Sequence, residues 1–445
     1  MENTAPKREL GLLQTASIVV GTVIGSGVFL SLPIVAGIGG TPLMTVCIWF
    51  LGGVIWVPQI LILAEMGTAY PIQGGPYYYL NRAGSPFLAF LYTWTAFLTS
   101  DTPTLTIVAL GAMSALKFFS PVFADPFSSR AIAAAMIITL AGLHYRSVRT
   151  GGNFQILLTV AKLTPLLAIV VLGFFFLRSG HLGANSVVAD AGTTFGILAA
   201  GISSTLWSYA GFANILYMAG EVKRPERTLP VALIGSLLFI TLAYTLIALC
   251  TSAIVPFGDL VAAKGDFVNP FSYLGVGTQI AGGVFALAAF VSMLGVLNAS
   301  IMAQPRLEYA IARDGLFFSV FGHLHPRFLT PDYSILIQSG LAIVLFLLGD
   351  IENMLGYFTM SYALQNALVY GTVFFLRGRE DYRPTYRSPL WRLMAGLAVL
   401  TQGVVAAGTF MAYPAGGILA SLLLILSGLP IYFYYAFKKR QQHPA

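Results

Sequence analysis

Charge is what this chain has least of. Only 9% of its 445 residues are Asp, Glu, Lys or Arg, where a soluble domain carries about 25%, so a water-facing surface for a protein of this size cannot be assembled from it. Cysteine is nearly absent: Cys47 and Cys250 each stand in an apolar run, and no disulfide framework is implied. No hydrophilic stretch is long enough for a separate soluble domain, and there is no GxxxxGK[ST] phosphate loop to mark a nucleotide-driven motor. Neither HExxH nor GxSxG occurs, so the convergent catalytic set that an intramembrane enzyme needs is missing. The chain therefore reads as no enzyme and as needing no cofactor. His323 and His325 fall in a polar loop and read as surface residues, not metal ligands.

What is present is apolar. Hydrophobic residues make up 57% of the chain, and mean hydropathy is +0.80. Runs of about 18 residues or more, long enough to cross a bilayer, lie at about 10–38, 42–69, 86–116, 129–146, 153–177, 194–219, 229–254, 279–309, 332–349, 352–376, 390–411 and 414–436. The first is too long and too glycine-rich for a cleaved signal peptide. The expected fold class is an all-α polytopic membrane protein of twelve helices. Basic residues from Lys7 and Arg8 to Lys438, Lys439 and Arg440 collect on one face, whereas Lys117, Arg130, Arg178 and Lys264 fall on the other. The positive-inside rule then places both termini in the cytoplasm, and this location accounts for the net charge of +7 without any nucleic-acid partner.

The stretch Gly21–Phe29, GTVIGSGVF, interrupts the first run near its middle. Each glycine weakens a helix by about 1 kcal/mol, and broken backbone at membrane depth survives only in protein or beside a polar cavity. Such a break exposes N–H groups suited to a carboxylate and carbonyls suited to an ammonium, which together match an α-amino acid. The competing reading is a helix-packing face, since Gly21 and Gly25 are four residues apart. A second weak point, Ser208–Gly211 in TLWSYAGFANILY, interrupts the sixth run. Two broken helices five spans apart suggest an inverted repeat: residues 10–177 as one half and 194–376 as the other, with 390–436 outside the repeat and cytoplasmic tails at 1–9 and 437–445. The segment AEMGTAYPIQGGPYYYLNRAGSPF after the second run reads as a short piece folded back at the cytoplasmic mouth.

These segments, with LWSYAGFANILYMAGEVKRPERTLP and the spacing of Asn298, Arg306, Asp314-Gly315 and Thr330-Pro331, resemble the amino acid–polyamine–organocation (APC) superfamily, most of all its L-amino-acid transporter branch. The likeness covers the whole chain. It implies a LeuT-type fold, an exchanger of L-amino acids working by alternating access, and a home in the cell membrane. It also implies site residues: carbonyls of Thr22 and Val23 for the ammonium, the Ser26 hydroxyl and the Gly27 N–H for the carboxylate, carbonyls near Trp207 and Ala210 to complete the ammonium site, and Gly25 among the substrate-binding residues. Trp207 or Tyr209 resembles the aromatic gate. Two departures stand out. Ala213 takes the place of an acidic residue found after Gly211-Phe212 in some members, and the loop 117–130 has no cysteine, so no disulfide-linked heavy subunit is expected.

Ionisable groups within spans are costly and are candidates by default. Glu65 and Glu308 read as structural partners of nearby Arg or backbone groups. Asp101, in SDTPTLT, is a side-chain-pocket candidate for a cationic side chain, a proton or a polar neighbour, with Asn298, Ser300 and Ser361 beside it. A proton-coupled or cationic amino acid carrier is the alternative this leaves open. Lys162, about ten residues from the end of its run, is too deep to snorkel to the headgroups and needs an internal partner: freed carbonyls of the first run, or hydroxyls of the eighth. Sodium-independent relatives place a lysine at this point, which makes Lys162 a surrogate for a sodium ion and implies sodium-independent transport.

Overall fold

The computed structural model describes residues 6–25, 27–178, 181–183, 193–263, 268–275, 277–348, 351–412 and 415–442. It is an all-α polytopic membrane protein, with no strands among the described residues, and helix occupies every one of the apolar runs. The first run divides into α1 (Leu12–Val23) and α2 (Gly27–Gly39), because the backbone turns extended at Ile24. The second bends between α3 (Pro42–Val54) and α4 (Val57–Ala69), and α5 (Gly75–Arg82) is the short folded-back piece. Its start is fixed by Gly74, whose φ of 78° favours glycine and whose N–H donates to Tyr217 O at 2.8 Å.

The third run is not one helix. A π-helical turn over Ala96–Asp101 joins α6 (Pro86–Thr95) to α7 (Thr102–Leu116). Asp125 and Ser147 accept hydrogen bonds from Ser128 N (2.8 Å) and Thr150 N (3.1 Å), capping α8 (Pro126–Arg146) and α9 (Val148–Phe176). The sixth run holds α10 (Thr194–Thr205), a 3₁₀ turn over Leu206–Tyr209, and the single turn α11 (Asn214–Tyr217). Then come α12 (Pro225–Ile254), α13 (Phe257–Ala262), α14 (Thr278–Ala303), and α15 (Pro305–Arg313) set off by its proline. The chain closes with α16 (Asp332–Leu348), α17 (Ile351–Gly371), α18 (Val373–Leu376), α19 (Trp391–Ala412) and α20 (Ala415–Gln442). Among the described residues, five helical segments, Val148–Phe176 and Pro225–Ile254 included, are long and apolar enough to cross a membrane.

Helix α9 shows what the solvent is. Its exposed face carries Leu157, Val160, Leu167, Val171, Phe174 and Phe175, while Gln155, Thr159 and Lys162 are buried. That is a water-soluble helix turned inside out, stable where the surroundings are hydrocarbon. At the centre α1 packs against α9, α12 and α14, with α7 on the far side of α14.

Polar knots tie the ends together. Glu65, fully buried, accepts from Arg377 Nε (2.8 Å) and Nη2 (2.6 Å), Tyr382 Oη (2.8 Å) and Ser388 N (2.7 Å), as expected for a structural acid. Glu221 pairs with Arg306 (2.8 Å), accepts from Gln73 Nε2 (2.8 Å), and its carbonyl accepts from the N–H groups of Glu9 and Leu10. Residues 9 and 10 are thereby pinned, and the N-terminal tail is not free up to residue 9. Glu308 departs from expectation. It is fully buried and both its carboxyl oxygens lack a partner; the neighbouring Arg306 turns its Nε and Nη2 to Glu221, and its Nη1 is itself buried without a partner. Arg377→Ala should cost about 3–5 kcal/mol, the usual effect of stranding a buried charge. Adding Glu65→Gln should restore part of it. Thermal unfolding of the purified single and double variants checks this, and equal losses in both would contradict it.

Candidate functional site

The break in the first run faces the break in the sixth. Gly211 has φ 117°, a conformation L side chains rarely adopt, and a Cβ there would sit 3.2 Å from the backbone of Thr22. A Cβ at Gly27 would lie 2.9 Å from Ser208 Cα. Glycine at these two positions lets the broken helices touch backbone to backbone. The Tyr244 hydroxyl, from α12, lies 3.2 Å from Val23 O and 3.1 Å from Ser208 O, sharing its proton between the two breaks. Thr22 Oγ1 reaches Gly211 O at 3.2 Å, and Gly211 N donates to Tyr362 Oη at 3.1 Å.

Between the breaks lies a cavity lined by Thr22, Val23, Gly25, Gly27, Ser208, Ala210, Gly211 and Asn214, by Asp101, Thr104 and Val108 of the third run, and by Met293, Val296, Ser300, Gln304 and Tyr362. Its space open to water is about 80 Å³, against about 10–15 Å³ for one water on the same measure. Several waters or a small polar molecule fit. The π turn sets the third run's contribution, since Asp101 is its last residue, and Thr104 and Val108 follow on α7 at helical spacing from it.

Lys162 is fully buried, and its ammonium donates to Val20 O (3.2 Å), Gly21 O (2.9 Å) and Ile24 O (2.5 Å). Val20 O and Gly21 O belong to the last turn of α1 and Ile24 O to its C-cap; Val20 O also accepts from Ile24 N at 2.9 Å, so Lys162 is its second partner. Among the described residues no carboxylate pairs with it and no span-8 hydroxyl bonds it. Its depth is greater than the sequence suggests. The helix begins at Val148, fourteen residues earlier, or about 21 Å along the axis at 1.5 Å per residue.

Several expected site residues are elsewhere. Tyr209 is fully buried away from the cavity, donating to Trp49 O at 2.9 Å and packing edge-on to Tyr244; the 3₁₀ turn directs it into α3 and α12, so it is no gate. Asn298 joins a polar chain instead of the cavity. Its Nδ2 donates to Gln155 Oε1 (2.7 Å) and its Oδ1 meets His144 Nε2 (2.9 Å), because that face of α14 packs on α9. Ser361 is buried but is not part of the cavity wall; the next residue, Tyr362, is. Ser26, and the side chain of Trp207, lie outside the described residues. Among the described residues no His, Cys, Asp and Glu group could hold a metal, and His323 Nδ1 instead meets Asp332 at 2.7 Å. Sequence reasoning misses Thr104, Gln304 and Tyr244: a hydroxyl or amide in an apolar run carries no mark of the direction it faces.

Gly211→Ala should cost about 1–3 kcal/mol in stability and weaken ligand binding, since it strains the backbone and pushes Thr22 away. Melting curves of the purified variant, with and without a saturating amino acid, check both effects.

A family model described as "Amino acid permease" matches residues 10–436. The chain is 30% identical over 450 residues to the serine/threonine exchanger SteT of Bacillus subtilis, covering 99% of each. It is 26% identical to the b(0,+)-type amino acid transporter 1 of Mus musculus, over 99% of this chain and 90% of that one. It is 27% identical to the human cystine/glutamate transporter, over 98% and 86%.

Proposed function

From the premise that this chain belongs to the amino acid permease family, and is thus a multi-pass membrane transporter and not an enzyme, we propose that it exchanges L-amino acids across the cell membrane without sodium. The observation that carries the reading is Lys162 on the carbonyl end of α1, beside a cavity walled by both broken helices. A sodium ion held between helices supplies a positive charge to orphaned carbonyls. A fixed ammonium supplies the same charge with no ion to be carried, and so holds the break open for substrate alone.

The substrate's carboxylate meets the N–H groups opening α2, from Gly27, with the Ser26 hydroxyl. A helix N-terminus favours an anion there. Its ammonium meets the carbonyls of Thr22, Val23 and Ala210, with Gly25 leaving room. Val23 O shares the Tyr244 hydroxyl and still has a second lone pair to offer. Trp207 supplies the gate. The serine/threonine exchanger of comparable length supports antiport. The five-plus-five inverted repeat over 10–177 and 194–376, a LeuT-type arrangement of twelve spans, and cytoplasmic termini belong to the same reading, as does action without a disulfide-linked heavy subunit. Cys47 and Cys250 are both free.

Proteoliposomes loaded with unlabelled amino acids test this. Counterflow of a labelled amino acid should be equal in sodium and choline buffers and absent from empty vesicles. Lys162→Ala should lose exchange while remaining folded and able to bind. A sodium requirement in the unaltered protein would refute the assignment of Lys162.

A further inference from the structure

Where the end of the π turn and the C-terminal end of α14 meet the cavity, its wall is rich in acceptors with nothing to accept from. Asp101 Oδ2, Ser300 Oγ and Gln304 Oε1 are buried without a hydrogen-bond partner, and so, one turn beyond Gln304, are both carboxyl oxygens of Glu308. Asp101, Ser300 and Gln304 line the cavity itself, and Asp101, Gln304 and Glu308 are 5%, 2% and 0% exposed. The ion pairs among the described residues all lie elsewhere. The titratable groups that face Asp101 are Glu308 from α15, Tyr92 from α6, Tyr217 from α11 and Tyr362 from α17. None is a cation. Tyr92 and Tyr217 satisfy each other at 2.9 Å, and Tyr362 accepts from Gly211.

Two carboxylates buried this far with no cation to compensate them are not both held ionised. Without a cation in the cavity, both are carboxylic acids. Asp101 reaches the cavity and Glu308 does not, so only Asp101 can trade its proton for something the cavity admits.

Resting on the amino acid site described above, we propose that Asp101 is a proton-for-cation exchange point in the substrate cavity. With a neutral amino acid bound, Asp101 stays a carboxylic acid. When the ammonium of a dibasic amino acid enters, the Asp101 O–H bond breaks, the proton leaves to water, and the carboxylate accepts N–H hydrogen bonds from the incoming cation, with Gln304 Oε1 and Ser300 Oγ as further acceptors. Glu308 keeps its proton throughout. The cavity then carries the same charge with either substrate, and one carrier serves both neutral and dibasic amino acids.

Titration calorimetry of the purified full-length chain tests this, with L-lysine and L-serine as probes in phosphate and in Tris, two buffers of different ionisation enthalpy. Lysine binding should differ between the buffers by the heat of about one released proton, and serine binding should not. Glu308→Gln should leave both results in place. Asp101→Asn should remove the buffer dependence and reduce the preference for lysine over serine by at least tenfold. A measurement on the unaltered protein guards against a variant that does not fold: the lysine-to-serine affinity ratio should fall about tenfold for each unit of acidification, the slope of one-proton linkage. Serine binding without lysine binding, lysine binding with no proton release, a flat ratio, or proton release that survives Asp101→Asn would each overturn the proposal while leaving the amino acid site intact. Binding of neither probe would bring down the site assignment as well.

Discussion

One contact governs the centre of this molecule: an ammonium against the cut end of a helix. The chain turns extended at Ile24, and Lys162 gathers three carbonyls at that end of α1, those of Val20, Gly21 and Ile24. Each side of this contact is costly alone. An unpaired ammonium about 21 Å down α9 and the carbonyls at a cut helix end are both poorly placed at membrane depth, and each lowers the other's cost. The break and the lysine are thus coupled, although they are more than 130 residues apart in the chain.

The rest of the centre keeps that break in place. Gly21 leaves α1 open to the Gln155 side chain, so α9 can approach closely enough for Lys162 to reach. Gln155 is held by Asn298, and Asn298 by His144, a line of amides and imidazole that fixes α9 to α14 and α8. Since Asn298 donates to Gln155, its oxygen must accept from His144, which puts the imidazole proton on Nε2. On the other side of the break, α12 supplies Tyr244, whose one hydroxyl joins the cut ends of both interrupted runs.

Much of this is legible in the sequence, and the reasons are physical. Apolar runs announce themselves because hydrocarbon tolerates little else. Glycines in GTVIGSGVF and a lysine too deep to reach water are conflicts with that solvent, and each conflict needs a resolution inside the protein. What stays hidden is direction. Tyr209 ends a 3₁₀ turn, and only that turn decides that it faces α12. Asn298 could have faced the cavity as easily as α9. Glu308 next to an arginine reads as half of a pair, and nothing nearby in the chain tells that Glu221 has taken Arg306. The π turn that ends on Asp101 leaves no trace at all, since its residues AFLTSD suit an ordinary helix equally well.

That turn makes the cavity wall a matter of counting. A π turn is a helix with one residue to spare, and each added residue of an α-helix rotates the next side chain by about 100°. Every side chain from Asp101 to Val108 owes its bearing to the number of residues before it, not to their kind. Shortening Ala96–Asp101 by one residue would leave hydropathy, span length and every motif intact, yet would turn the acid and its neighbours toward another helix. A single-residue gap in an alignment at this point is therefore a change in which side chains line the cavity, and percentage identity would not register it.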